Sequence, residues 1–106
     1  MEDWADVAAV DDIPPGERRV VEVDDVPIAV FNLEGSFYAI EDLCSHEEYP
    51  IAEGELRDDR LVCPHHGAEF CLRDGSALTA PAVEPLTCFP VRVRDGRVEV
   101  RDDRWD

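Results

Sequence analysis

A chain of 106 residues, 44% of them apolar, has the size and make-up of one domain with a modest core, and this composition excludes a disordered chain. Its 26 acidic and 10 basic residues, the latter all Arg, leave a net charge of −16. Such a surface repels nucleic acid and anionic membranes, which are bound through Lys and Arg, and it speeds encounter with basic protein surfaces.

The opening stretch, Met1 to Asp12, has neither the basic region nor the apolar run of a secretory signal, and no segment approaches the ~18 apolar residues of a membrane span. A cytoplasmic location is the expectation. In a reducing compartment, four Cys serve better as metal ligands and spare thiols than as two disulfides. Trp4 to Val10 reads as a short helical turn or an edge strand. Arg19 to Val23 reads as a strand, Asp24-Asp25 as a turn and Val26 to Leu33 as the partner strand. Pro27 marks an edge or a strand start, because it lacks an N–H for the ladder. Glu34-Gly35-Ser36 then turns the chain into a strand over Phe37 to Glu41.

Glu55 to Arg57 and Arg60 to Val62 flank Asp58-Asp59 as a further hairpin. Glu69 to Leu72 precedes Arg73-Asp74-Gly75-Ser76, a turn signal. After a connection containing Pro81 and Pro85, Thr87 to Arg94 and Arg97 to Arg101 read as a last hairpin around Asp95-Gly96. About nine or ten short strands in sequence argue for an all-β sandwich or barrel-like domain spanning residues 1–106.

Two segments combine Cys with His: Cys44-Ser45-His46 and Cys63-Pro64-His65-His66-Gly67, with 16 residues between His46 and Cys63. Each begins where a hairpin ends, so a β-scaffold can hold the two loop tips face to face. Thiolate and imidazole are donors that iron and zinc favour. Three assignments compete: a [2Fe–2S] cluster with two thiolates on one iron and two imidazoles on the other, a structural zinc site, and a chance grouping. Zinc sites more often pair Cys-x-x-Cys with His-x-x-x-His, which fits this alternating order poorly, and two such segments make chance a weak account. Spacing alone leaves His65 and His66 both open as the fourth donor.

Cys44-x-His46, followed after sixteen residues by Cys63-x-x-His66-Gly67, resembles the Rieske pattern. The flanking stretches 46–56 and 63–100 resemble it too, so the likeness runs from about Trp4 to Val100. Within that family the chain resembles the small Rieske ferredoxins of bacterial aromatic-ring-hydroxylating dioxygenases. The resemblance implies an all-β Rieske-type fold of stacked antiparallel sheets, with one [2Fe–2S] cluster per chain held by two hairpin-end loops, about 43–50 and 63–70. It implies that Cys44 and Cys63 bind the inner iron and that His46 and His66 bind the outer one. It gives His65 a loop-packing or surface role.

It also implies a function. The chain is expected to be a soluble carrier that moves single electrons from a flavin-dependent NAD(P)H reductase to a terminal oxygenase, as a monomer and with no substrate pocket of its own. A Rieske-type small subunit of a larger oxidoreductase, such as nitrite reductase, is the alternative. High-potential respiratory members carry a loop disulfide, and beyond it a Ser and a Tyr that donate hydrogen bonds. The matching positions here are Tyr49 and His65, then Ala68 and Phe70, none of which supplies them. The expected potential is accordingly near the low end of the Rieske range, about −150 mV.

The remaining candidates are read as structural. Cys71 and Cys88 fit neither ligand spacing and are expected as small buried residues in strands. Trp4 and Trp105 read as anchors for the ends of the chain, and Pro64, Gly67 and Pro81 as residues that shape or cover the loops. Glu47, Glu48 and Glu53 form a solvated face or a docking rim. No Ser-His-Asp arrangement, phosphate loop or nucleotide fingerprint occurs.

Overall fold

The computed structural model of the chain describes residues 4–43, 50–64, 67–78 and 85–102. Among these residues the elements are β1 (Ala5–Ala9), a 3-10 turn (Val10–Asp12), β2 (Arg18–Val23), β3 (Val26–Leu33), β4 (Ser36–Glu41), β5 (Glu55–Arg57), β6 (Arg60–Val62), β7 (Glu69–Cys71), β8 (Cys88–Phe89), β9 (Val91–Arg94) and β10 (Arg97–Val100). They form three antiparallel sheets, ordered β1-β10-β9, β2-β3-β4-β8 and β5-β6-β7. No helix among the described residues is long and apolar enough to cross a membrane.

The tight hairpins follow from acidic and Gly pairs that accept positive φ. Asp24 and Asp25 (50° and 67°), Glu34 and Gly35 (55° and 96°), and Asp95 and Gly96 (53° and 76°) all adopt it. Two consecutive residues at positive φ give the turn whose twist matches the flanking strands. Register then sorts side chains by parity. In β3, Ile28 and Val30 enter one core with Ile13, Phe89, Val98 and Val100. Ala29, Phe31 and Leu33 enter the other, with Ile40, Leu61, Phe70 and Leu72. Strand periodicity of two thus makes β3 apolar on both faces, and its sheet is the middle layer of the domain.

The segment expected as one strand over Thr87 to Arg94 is two. Cys88–Phe89 pairs with β4, and Val91–Arg94 pairs with β10 in a different sheet. Pro90 stands between them. It has no N–H to continue a ladder, while its carbonyl accepts the N–H of Arg101 at 3.2 Å. The chain therefore changes layers at this residue. Pro27 resolves to a strand start, since β3 has neighbours on both sides. Trp4 to Val10 resolves to an edge strand followed by a 3-10 turn, with an irregular register between Asp6 and Ala8.

One buried polar side chain fastens the approach to β2. Asn32 is 4% exposed. Its Nδ2 donates to the carbonyl of Ile13 at 2.7 Å, and its Oδ1 accepts the N–H of Gly35 at 2.7 Å. Removing the amide strands the buried Ile13 carbonyl and takes the partner from the N–H of Gly35 at the exposed turn. Asn32→Ala is expected to cost about 1–3 kcal/mol, seen as a lower urea midpoint at unchanged slope. An unchanged midpoint would show that these groups find other partners.

Candidate metal centre

The second Cys-His segment is built on the β6-β7 hairpin. β6 ends at Val62, and Cys63 follows, 2% exposed and packed among Leu61, Ala68 and Phe70. Two backbone hydrogen bonds close the loop behind it: Cys63 N–H to the Ala68 carbonyl at 2.7 Å, and Gly67 N–H to the Cys63 carbonyl at 2.9 Å. Gly67 has φ +74°, a conformation open to Gly at little cost, and it lets the chain reverse into β7. Pro64 is exposed on the same turn. Cys63, expected from the sequence as a donor, is a thiol at the neck of a short loop with apolar walls. Ala68 and Phe70 are fully buried and carry no side-chain donor.

The first segment leaves β4 through Asp42 and Leu43. Asp42 N–H donates to the Pro27 carbonyl at 2.8 Å, and Leu43 N–H to the Glu41 carbonyl at 2.8 Å. The chain returns through Pro50 to the buried pair Ile51 and Ala52. Across the neck of this loop, Asp42 Oδ1 accepts the N–H groups of Ile51 at 2.8 Å and of Ala52 at 2.7 Å. Sequence reasoning passed over Asp42. Its position two residues before Cys44 was visible, but its partners lie nine and ten residues away, beyond the reach of a local pattern.

Cys44, His46 and His66 lie outside the described residues, as do Tyr49, His65, Glu47, Glu48, Pro81 and Trp105. Of the four expected ligands, the structure places Cys63. Both loops rise from elements that pack on the same core, which contains Ile51, Ala52 and Cys63. Two thiols and two imidazoles offered from two loops suit a binuclear iron–sulfur centre. Thiolate and imidazole are both donors that iron favours, and neutral imidazoles in place of two thiolates would leave less negative charge at such a centre.

The spare thiols depart from expectation. Cys71 and Cys88 do lie in strands and are free, but Cys71 is half-buried and Cys88 is exposed. The Cys88 sulfur faces inward all the same, since a Cβ built on Gly75 would come within 2.8 Å of it. Burial of that thiol, with smaller contributions from Asp74 and Cys71, pushes its pKa up. A raised pKa keeps it protonated and unreactive at neutral pH. Trp4 does anchor its end of the chain: the Arg92 guanidinium lies 4.2 Å from its ring centroid, and Arg92 Nε also meets Glu99 Oε1 at 2.7 Å. Glu53 is exposed beside the first loop's return limb.

Comparison with known proteins agrees with this arrangement. A model of the Rieske [2Fe–2S] domain matches residues 3–90. The ferredoxin subunit of 3-phenylpropionate/cinnamic acid dioxygenase of Escherichia coli (strain K12) is 49% identical over 90 residues, 84% of this chain and 84% of that one. A chain from the complex of reduced oxygenase and oxidised ferredoxin in carbazole 1,9a-dioxygenase superposes with a TM-score of 0.89 at 37% identity, over 95% of this chain and 94% of that one. A Mycobacterium tuberculosis chain described as the small subunit of an NADH-dependent nitrite reductase gives a TM-score of 0.85 at 28% identity, over 96% of both chains. The family match decides for iron and sulfide over zinc, and its ferredoxin relatives are electron-transfer components rather than catalysts. The chain belongs to the Rieske [2Fe–2S] domain family, with a Rieske-type cluster as its cofactor.

Proposed function

We propose that the chain is the soluble ferredoxin of a multicomponent aromatic-ring-hydroxylating dioxygenase. In that role it takes single electrons from a flavin-dependent NAD(P)H reductase and delivers them to a terminal non-haem iron oxygenase. The observation that carries this is the 49% identity, over 84% of both chains, with a dioxygenase ferredoxin subunit. A cytoplasmic monomer that diffuses between two larger partners fits the part. The structural likeness to a nitrite reductase small subunit supports a second reading, a cluster-bearing subunit of that kind of enzyme. Retention of all four candidate ligands, Cys44, His46, Cys63 and His66, favours a chain that carries electrons itself.

In this proposal Cys44 and Cys63 would hold the inner iron, and His46 and His66 the outer one. The bound cluster supplies reversible uptake of one electron at a time. The protein's own groups set how readily that happens. Neutral imidazoles in place of two thiolates reduce the negative charge around the metal and ease reduction, relative to an all-Cys site. Hydrogen bonds to the sulfurs would raise the potential further. Buried Ala68 and Phe70 cannot supply them from their side chains. The apolar packing of Leu61, Ala68 and Phe70 around Cys63 keeps water from the inner side of the site.

The acidic surface has a role in this scheme as well. A net charge of −16 favours partners with basic docking faces and disfavours nucleic acid and anionic membranes. Glu47, Glu48 and Glu53 would form the nearest part of that surface to the first ligand pair. The terminal imidazoles would then offer the shortest route for the electron to a docked partner.

Three measurements test this proposal. His66→Leu is expected to abolish the cluster's visible spectrum and to leave little bound iron, whereas His65→Leu retains both; the reverse outcome would exchange the two assignments. Redox titration is expected to give a potential near −150 mV, and a value well above zero would contradict the low-potential reading. In a reconstituted system of reductase, this chain and oxygenase, raising ionic strength from about 0.05 M to about 0.5 M is expected to slow electron delivery roughly tenfold. A rate indifferent to salt would remove the docking role of the acidic residues. Turnover that proceeds equally well without the chain would remove the carrier role itself.

A further inference from the structure

We infer that Asp42 and Arg18 are positioning residues for the metal centre, which together grip the return limb of the first ligand loop and fix it against the strand that leads to Cys63. This inference rests on the ligand assignment proposed above, in which each loop contributes one thiolate and one imidazole.

The return limb, Ile51 to Gly54, is held by opposite charges on complementary backbone groups. Asp42 Oδ1 accepts the N–H of Ile51 at 2.8 Å and that of Ala52 at 2.7 Å. Arg18 Nη1 donates to the Ala52 carbonyl at 2.8 Å and also to the Gly54 carbonyl. Ala52 thus gives its N–H to a carboxylate and its C=O to a guanidinium. Hydrogen bonds with one charged partner are shorter and stronger than neutral ones, so these four fix the limb better than backbone pairing would. The limb makes one internal turn besides, with Gly54 N–H on the Ile51 carbonyl at 2.9 Å.

Both gripping residues are themselves anchored to the middle sheet. Asp42 follows directly on β4, and its own N–H is bonded to Pro27 of β3. Arg18 opens β2 and lays its guanidinium over the Phe31 ring, 4.9 Å from the centroid. Phe31 is fully buried on β3. The grip therefore transmits the position of a packed sheet, not that of a surface loop.

On its far side the limb touches the strand that leads into the second loop. A Cβ at Gly54 would come to 2.0 Å from the Val62 carbonyl oxygen, so the backbones meet there with no room for any side chain. Val62 is the last residue of β6 and immediately precedes Cys63. The path runs from Asp42 and Arg18 through residues 51–54 to Val62 and Cys63. A centre that bridges both loops needs their separation fixed, and this path fixes it without any ligand taking part.

A merely structural clamp would affect stability alone, so the test reads the metal centre. Arg18→Met, Arg18→Lys, Asp42→Ala and Asp42→Asn are prepared as cluster-bearing protein, with Arg97→Met as a control. The control breaks the remote ion pair between Arg97 and Asp6, whose contact is 2.6 Å. Arg18→Met and Asp42→Ala are expected to broaden or shift the electron-spin signal of the reduced protein and to speed loss of iron to a chelator about tenfold or more. Asp42→Asn keeps an acceptor oxygen and should rescue most of both properties relative to Asp42→Ala, and Arg18→Lys should rescue part. Arg97→Met should lower the unfolding midpoint with an unaltered signal. If Asp42→Ala yields no folded protein, Arg18→Met and Arg18→Lys decide alone. An Arg18→Met protein with unchanged signal and unchanged iron release overturns the inference, whatever its unfolding midpoint. Failure of the ligand assignment is separate: it would show as cluster retained in His66→Leu with these variants still perturbed.

Discussion

Burial of β3 on both faces is the constraint on which the rest of the structure depends. Ile28 and Val30 look into one core, and Ala29, Phe31 and Leu33 into the other. A strand of this kind cannot slip by one residue, because a slip would exchange the two sets between the two cores. Its partners β2 and β4 inherit that fixed register. The loop-bearing β5-β6-β7 sheet stacks against one face, and the β1-β10-β9 sheet against the other. Whatever the metal centre needs in the way of fixed geometry is supplied first by this middle layer.

A binuclear centre held by two loops makes an unusual demand on so small a domain. Each loop tip must carry polar and metal-ligating groups, and tips are ordinarily the least constrained parts of a fold. The structure meets this demand at the loop necks. The second loop is closed by paired backbone hydrogen bonds around Cys63, and the first by the carboxylate of Asp42. Ionic groups carry part of that duty in a chain already strongly acidic. All of its basic residues are Arg, the cation with several donors in a fixed plane. Arg18 uses this to reach two carbonyls at once, where a Lys ammonium on a flexible stem would hold them less firmly.

Legibility in the sequence followed the range of the interaction. Asp24-Asp25, Glu34-Gly35 and Asp95-Gly96 signalled their hairpins because a two-residue turn is a local choice of φ. The run Val26 to Leu33 was readable as a strand by its β-branched and apolar content. Cys63 stood out as a candidate donor by its neighbours, and its burial at a loop neck follows from the hairpin around it. Pro90 misled, because its effect depends on which sheet receives each side of it, and a continuous apolar run hides a change of layer. Cys88 misled in the same way: β8 is a two-residue edge strand of its sheet, and burial there depends on cover from elsewhere. Asp42, Arg18 and Gly54 were silent. The partners that join them to the return limb and to β6 lie between eight and thirty-six residues away, and nothing local distinguishes a clamping Asp from a solvated one among 26 acidic residues.

The proposed ligand set puts two imidazoles of this chain on iron. Pulsed electron–nuclear resonance on the reduced protein, grown with ¹⁵N-labelled histidine, tests it most directly. Two strongly coupled nitrogens are expected, both of which change with the isotope. One such nitrogen, or none, would contradict it and call for a different ligand set.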